Sequence, residues 1–436
     1  MSLDVGLDLF PLLAGTLAAV CCGVLGNFLV LRRLSLMGDA ISHSVLPGLV
    51  IAFLVTSTRS PLVMFLGAAI AGVATVVLVE VVKRLGRVEP GAAMGVVFSV
   101  LFALGVLLIQ RAAAERVDLD ADCVLHGQLE TLVWYGAPDT LGEALRWSNL
   151  QHVPRQVAVL FGMVVAAVLF VVLFFKELRI AAFDPALATT LGFNSTALHY
   201  LLMIFVAAAT VASFEAVGSI LVIAMLVCPA ATARLLTDRL STQIAWSVAI
   251  ATAAGVGGYL AATAVPAAFG KDAVNAAGSM AVVGGLLLFV AALAAPRHGL
   301  VSRALHQRRL AISLARDDVV AALYRASEQG TASVEVPKLE RSLGARPLGR
   351  AIAAAERSQL VERDGTALRL TKRGEAAGRE QVRRHRLWEH YLVEEVGIAP
   401  DHVHPTAEQL EHVPTVPPSG PRLDPHGRAI PGGEGA

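Results

Sequence analysis

Apolar positions run together in blocks along the first two thirds of the chain. Stretches near 10–31, 36–56, 61–82, 92–110, 156–175, 198–215, 217–236, 243–264 and 276–295 are apolar along their length, with short polar breaks between them. A block of roughly 20 such residues matches one helix crossing a bilayer, so the pattern predicts about nine spans. The pair 198–215 and 217–236 leaves only a tight turn, around Glu215 and Gly218. After Pro296 the pattern changes. Charges become dense and apolar residues return at helical spacing in RDDVVAALYRASEQ (316–329), PKLERSLG (337–344) and RPLGRAIAAAERSQLVERDG (346–365). ALRLTKRGEAAG (367–378) then reads as a short strand pair and the start of a further helix. That succession is the order of a winged helix.

Composition agrees with two unlike regions. Of 436 residues, 55% are hydrophobic and only 16% charged, with a mean hydropathy of +0.62; this excludes a soluble multidomain protein. The net charge of +1 averages an apolar part and a polar tail and therefore says little about partners. Cys21, Cys22, Cys123 and Cys228 lie mostly in apolar runs, so no extracellular disulfide framework is expected. The first ten residues contain acids and no Lys or Arg, unlike the basic start of a secretory signal. If the spans alternate, Arg32/Arg33, Lys83/Arg84/Arg87, Lys176/Arg179, Arg234/Arg239 and Arg297/Arg303 fall on one side. The positive-inside rule makes that side the cytoplasm. The N-terminus is then expected outside and the tail inside.

Candidate chemistry begins with Asp39 and His43. Four residues apart on a helix, they project from one face, one above the other, and an acid and an imidazole in a spanning segment usually line a pathway or a site. Pro47, one turn on, is expected to end that helix. Glu215, Met225 and Cys228 are further candidate ligands within the spans, and Cys123 and His126 in the outer loop. Between Lys176 and His199, Asp184-Pro185 reads as a helix start and Gly192 as its stop. No GxxxxGK[ST] phosphate loop occurs, so ATP hydrolysis, if used, is expected from another chain. HExxH is absent too, which removes a zinc-protease reading.

The run VLRRLSLMGDAISHSVLPG (30–48) resembles the signature of the permease subunits of ABC-type importers for zinc, manganese and iron. FDPALATTLGFNSTALHYLLM (183–203) and VGSILVIAMLVCPAATARLL (217–236) are similar to that family in the same order, so the resemblance covers roughly residues 5–300. It implies a multi-pass permease of the bacterial inner membrane, working as a homodimer with an ATPase subunit and an extracytoplasmic metal-binding protein. It further implies Mn²⁺, Zn²⁺ or Fe²⁺ as substrate, with no cofactor tightly bound for transport. Asp39 and His43 would hold the ion in the pathway. The segment carrying Asp184, Pro185 and Gly192 would be the short helix that docks the ATPase.

The tail carries a second resemblance. HRLWEHYLVEEVGIAPDHVHPTAEQLEHV (385–413) is similar to the metal-binding half of the iron- and manganese-dependent repressors related to the diphtheria toxin repressor. LDPHGRAIPGGE (423–434) looks like that family's closing CPHGxPIP segment, with Leu-Asp in place of its cysteine. Carried over, two adjoining metal sites fall on His385, Glu389 and His404, and on Glu408, Glu411 and His412. The spacing suits this: His385 and Glu389 stand at i, i+4, and Glu408, Glu411 and His412 at i, i+3, i+4. Oxygen and imidazole donors without thiolate suit Mn²⁺ or Fe²⁺ better than a closed Zn²⁺ site. The recognition helix departs from the family, offering Ala and Ile with a few Arg where the repressors place Ser, Thr and Gln. Base readout is therefore impaired, and DNA binding is not expected.

The chain is thus expected to be an all-α polytopic membrane protein with a cytosolic winged-helix and helical metal-binding tail. The expected divisions are a permease domain (1–298), a linker (299–312), a winged-helix-like domain (313–378) and a helical metal-binding domain (379–436). The function expected is the permease subunit of a divalent-metal ABC importer with a metal-sensing tail. The alternative is a membrane-anchored, metal-dependent transcriptional regulator.

Overall fold

The computed structural model describes residues 5–58, 60–114, 129–134, 153–343, 347–413 and 422–431. Cys123 and His126 lie outside the described residues. The chain forms two compact units, 1–302 and 303–436.

The first unit is helical: α1 (Val5–Leu31), α2 (Met37–Thr56), α3 (Pro61–Gly86), α4 (Pro90–Ala114), α5 (Arg155–Leu173), α6 (Phe175–Phe183), α7 (Pro185–Thr190), α8 (Ser195–Leu236), α9 (Leu240–Ala268) and α10 (Ala276–Ala294). Among the described residues, eight of these helices are long and apolar enough to cross a membrane. Their outward faces carry large apolar side chains such as Ile70, Val172 and Val282, as lipid rather than water would require. Helix α1 sits at the centre, with Phe28, Leu25 and Leu29 almost wholly enclosed. Small residues permit the closest approaches: a Cβ on Gly48 would come within 2.4 Å of the Gly67 carbonyl oxygen, so α2 and α3 meet backbone to backbone.

The sequence predicts two crossings where the structure has the single 42-residue helix α8. A straight helix of that length would run about 63 Å, twice the hydrocarbon thickness. It is not straight. Gly218 adopts φ 77°, ψ 172°, a region essentially reserved for glycine. Contacts on either side show a reversal. Arg32 bonds His199 and Cys22 lies beside Ser213, so the first limb runs antiparallel to α1. The second limb comes back, with Leu226 against Gly26 and Gly38. Leu236 is four residues before Leu240, a reach of at most about 15 Å, and Gln243 of α9 donates to Asn27 near the Arg32 end of α1. Both ends of α8 therefore lie at one end of the bundle, and α8 supplies the two adjacent passes that the sequence expects.

Pro47 does not end α2, which continues to Thr56. The surrounding helices hold it in place, and the proline only withholds the N–H that would bond the carbonyl of His43.

In the second unit, α11 (Leu300–Glu328) takes in most of the stretch expected as a linker, 299–312, in helical form. It leads into β1 (Val334–Glu335), α12 (Val336–Leu343), α13 (Leu348–Arg357), β2 (Val361–Asp364), β3 (Ala367–Leu370), α14 (Lys372–Glu394) and α15 (His404–Leu410). The strands form one antiparallel sheet in the order β1-β3-β2, one strand more than the sequence suggests. Val319, Leu323, Leu339, Ile352 and Leu368 close a core beneath it. This is the winged-helix arrangement. A smaller cluster of Leu392, Val403 and Ala407 joins α14 to α15.

Candidate functional site

Three places hold the residues singled out in the sequence. The first is α2. Asp39 and His43 project from one face, with His43 Nε2 3.2 Å from Asp39 Oδ1, and both side chains are only partly covered. His43 rests on the rings of Phe98 and Phe102 of α4, at centroid distances of 5.1 and 5.6 Å. The aromatic wall fixes the imidazole while leaving the carboxylate–imidazole pair accessible. A pair offers two donors, fewer than a divalent cation takes, so further donors must complete any coordination. Glu215, Met225 and Cys228 do not gather there. Glu215 pairs with Arg155 at 4.0 Å near the α8 reversal, Met225 is buried facing Gly284, and Cys228 lies partly buried beside the same glycine.

The second place is the basic end of the bundle. Asp184 caps α7, its Oδ1 accepting from the N–H groups of Ala186 and Leu187 at 3.0 and 2.9 Å, with Pro185 at the first helical position. Gly192, at φ 88°, ends the segment. The short helix borders a 410 Å³ cleft lined by Arg32, Glu80, Lys83, Pro185, Thr196 and His199. There Glu80 accepts from Lys83 (3.0 Å) and Arg84 (2.8 Å), while Arg32 donates to His199 Nδ1 at 3.0 Å. The expected docking segment thus lies among the basic helix ends, on a rigid polar network.

The third place is the tail. His385 and Glu389 of α14 are buried and meet His404 at the start of α15. Their three donor atoms stand 3.1 Å (His385 Nε2–Glu389 Oε1), 3.0 Å (His404 Nδ1–Glu389 Oε1) and 2.9 Å (His385 Nε2–His404 Nδ1) apart. A metal with bonds of about 2.1 Å spaces adjacent ligands about 3.0 Å apart when they lie at right angles. The triangle therefore fits a divalent cation, which would take the place of the hydrogen bonds that join the three side chains here. The other nitrogen of His385, Nδ1, lies 2.5 Å from Glu411 Oε2; such an outer carboxylate is what orients a metal-binding imidazole.

Glu411 also belongs to the second group, Asp318, Glu411 and His412. His412 Nε2 lies 3.4 Å from Asp318 Oδ1 and 3.7 Å from Glu411 Oε1. Sequence reasoning expected Glu408 as the third member. The structure brings in Asp318 from α11 instead, a residue far along the chain from Glu411 and His412 that no local spacing could reveal. Glu408 remains on α15, half buried, outside that compact group. Among the described residues these are the two groups in which three donors converge.

Electrostatics follow from this packing. Burial lowers the His385 pKa, but the carboxylates of Glu389 and Glu411 outweigh it and hold the pKa above the usual imidazole value. The Glu389 carboxyl is resisted by its own burial, yet hydrogen bonds from His385 and His404 bring it down to about 2. For His412 the bond to Asp318 dominates over burial and raises the pKa. On α13 the outward positions are Gly349, Arg350 and Arg357, flanked by Ala353, Ala354 and Glu356. That face has few groups able to read base edges.

Both parts of the chain resemble known proteins. The ABC 3 transport family matches residues 9–133 and 148–295, and the iron dependent repressor, metal binding and dimerisation domain matches 371–415. The zinc transport system membrane protein TroD of Treponema pallidum (strain Nichols) is 38% identical over 368 residues, 83% of this chain and 95% of that protein. The manganese transport system membrane protein MntD of Bacillus subtilis (strain 168) is 38% identical over 291 residues, 67% of this chain and 93% of that protein. Among solved structures, PsaBC from Streptococcus pneumoniae in complex with Fab is similar, with a TM-score of 0.52 and 27% identity over 69% of this chain and 94% of that one. With eight long apolar helices and a family match over most of its length, the chain is a multi-pass membrane protein of the ABC 3 transport family, carrying an iron-dependent-repressor-like metal-binding domain at its C-terminal end.

Proposed function

We propose that the chain is the permease subunit of an importer for a divalent transition metal, Mn²⁺, Zn²⁺ or Fe²⁺, and that its tail senses the same class of ion in the cytosol. The observation that carries the transport reading is the Asp39–His43 pair, 3.2 Å apart on an apolar helix and backed by Phe98 and Phe102. Carboxylate and imidazole together replace part of an ion's hydration shell, and two donors are few enough to release it. A homodimer would bring two such pairs to one pathway. The basic ends of the helices face the cytoplasm in this reading, so the cleft beside Pro185 receives a separate ATPase subunit and an extracytoplasmic binding protein delivers the ion to the other side. The tail reading draws on the three donors around Glu389 and on the sparse outward face of α13, which suits sensing better than DNA reading.

The test is uptake of Mn²⁺ and Zn²⁺ into vesicles holding the reconstituted complex. Asp39→Asn and His43→Ala should each reduce uptake to background while ATPase assembly is retained. Near-normal uptake by both variants would return these residues to a structural role.

A further inference from the structure

The chain leaves its last apolar helix, α10, by a turn that is held at several points. The Gly299 N–H donates to the Ala295 carbonyl at 3.0 Å, and the Ser302 hydroxyl is shared between the carbonyls of Ala295 and Gly299, at 2.9 Å each. Arg297 and His298 in that turn reach Asp238, between α8 and α9, at 3.4 and 2.9 Å. Helix α11 therefore starts beside the helix ends of the membrane unit. From Leu300 to Ala311 every residue is exposed except the half-buried Ser302; buried positions begin only at Ala315. That bare stretch is not polar. Leu300, Val301, Leu305 and Leu310 are 62, 53, 48 and 50% exposed. At about 100° per residue, Leu300, Val301, Ala304, Leu305, Ala311 and Ile312 fall on one face, with Arg303 and Arg309 to either side. Arg308 lies within the face, and its long stem can run along apolar surface while the guanidinium reaches a polar layer. No Asp or Glu occurs from 296 to 316. Among the described residues, Arg303, Arg308 and Arg309 have no ion-pair partner.

We propose that the first half of α11, residues 300–312, lies along the membrane surface, its apolar face at the level of the upper acyl chains and its arginines on the phosphate groups of anionic lipids. A helix with an apolar face and uncompensated basic residues, joined directly to a membrane span, has the make-up of an interfacial segment. Water alone would leave that face exposed and a stretch of about twelve residues only marginally helical. A second copy of the same helix is a poor cover, because three arginines between 303 and 309 would meet three more. Lipid phosphates neutralise them instead. Each arginine close to an anionic surface shifts the equilibrium toward the lipid about fivefold, and three together about a hundredfold at low salt. The inference rests on the orientation of the basic helix ends toward the cytoplasm only in assigning the helix to the inner leaflet. It makes attachment of the tail responsive to lipid charge, independently of any metal.

The experiment uses the full chain with Leu305→Cys, labelled with a small fluorophore and reconstituted into vesicles of phosphatidylcholine, with or without about one third phosphatidylglycerol. The chain without the added cysteine, labelled in the same way, supplies the background from native thiols. With phosphatidylglycerol present, lipids brominated on the acyl chain should quench the label at position 305, and aqueous iodide should not. A label introduced by His306→Cys, on the opposite face of the helix, should respond the other way round. Omitting phosphatidylglycerol should cut bromolipid quenching at position 305 to about half or less. The combined change Arg303→Gln, Arg308→Gln and Arg309→Gln should do the same, as should salt at about 1 M, where the Debye length falls to about 3 Å. Iodide access at position 305 in both lipids would overturn the proposal and leave a solvated helix. Protection from both quenchers, independent of lipid charge, would place a protein partner on the face and overturn it equally. Bromolipid quenching that ignores lipid charge and the arginine changes would refute the arginine–phosphate contact. Reaction of position 306 with an impermeant reagent from outside intact cells would overturn the orientation instead, leaving the lipid contact to be judged by the quenching alone.

Discussion

Replacing Gly218 by alanine tests whether α8 really folds back. The residue sits at φ 77°, ψ 172°, where a Cβ strains the backbone by about 1–3 kcal/mol. A proper reference is Gly285→Ala in α10, which has ordinary helical backbone and nothing within 4 Å of the added methyl. That change should be neutral or stabilising by up to about 1 kcal/mol, since alanine restricts the unfolded chain and favours the helix. The two variants should therefore differ by about 1–4 kcal/mol. At about 2 °C per kcal/mol for a large unit, Gly218→Ala should melt about 2–8 °C below Gly285→Ala when tryptophan fluorescence of the detergent-solubilised protein is followed on heating. Cysteine labelling should give the companion result: single cysteines introduced at Thr196 and Thr237 should react from the same side of the membrane. Equal melting of the two glycine variants, with labelling from opposite sides, would sink the reversal and leave α8 a single pass.

Gly192→Val places a β-branched residue at φ 88°, a strain of about 1–2 kcal/mol with no steric clash around it. It should reduce ATPase co-purification and uptake without loss of the membrane unit; retention of both would refute the docking assignment. Asp318→Asn should lower the number of tightly bound Mn²⁺ ions per chain by one in equilibrium dialysis, and an unchanged stoichiometry would exclude Asp318 as a ligand. Metal affinity of the tail should rise with pH. His385 and His412 hold their protons above the ordinary imidazole range, so their contribution to metal-free stability is fully present below about pH 6.5 and is lost as pH rises through the folded values. A cation requires the deprotonated imidazole, so Zn²⁺ titrations should give weaker binding at pH 6 than at pH 8. A flat profile would mean that these histidines are not ligands. Glu389, held down to about 2, stays ionised over that window and does not produce the trend.

The linear chain by itself determined the apolar blocks, the polar tail and every contact that a helix makes with itself. Asp39 and His43 could be read together because a four-residue step returns to the same face, and the same step paired His385 with Glu389. Asp184, Pro185 and Gly192 were legible for a similar reason, since capping is decided within one turn. What the sequence could not decide was anything that depends on a second element. Pro47 looked like a break, yet packing of the bundle carries α2 through it. Gly218 marked a turn, but only contacts with Gly26, Asn27 and Gly38 showed the chain coming back. Asp318 entered its group because winged-helix packing brings α11 beside the end of α15, and Glu408 was displaced from it. Helical periodicity acts over a few residues, whereas a metal group is assembled from donors a few ångströms apart in space, and only the folded backbone sets those distances.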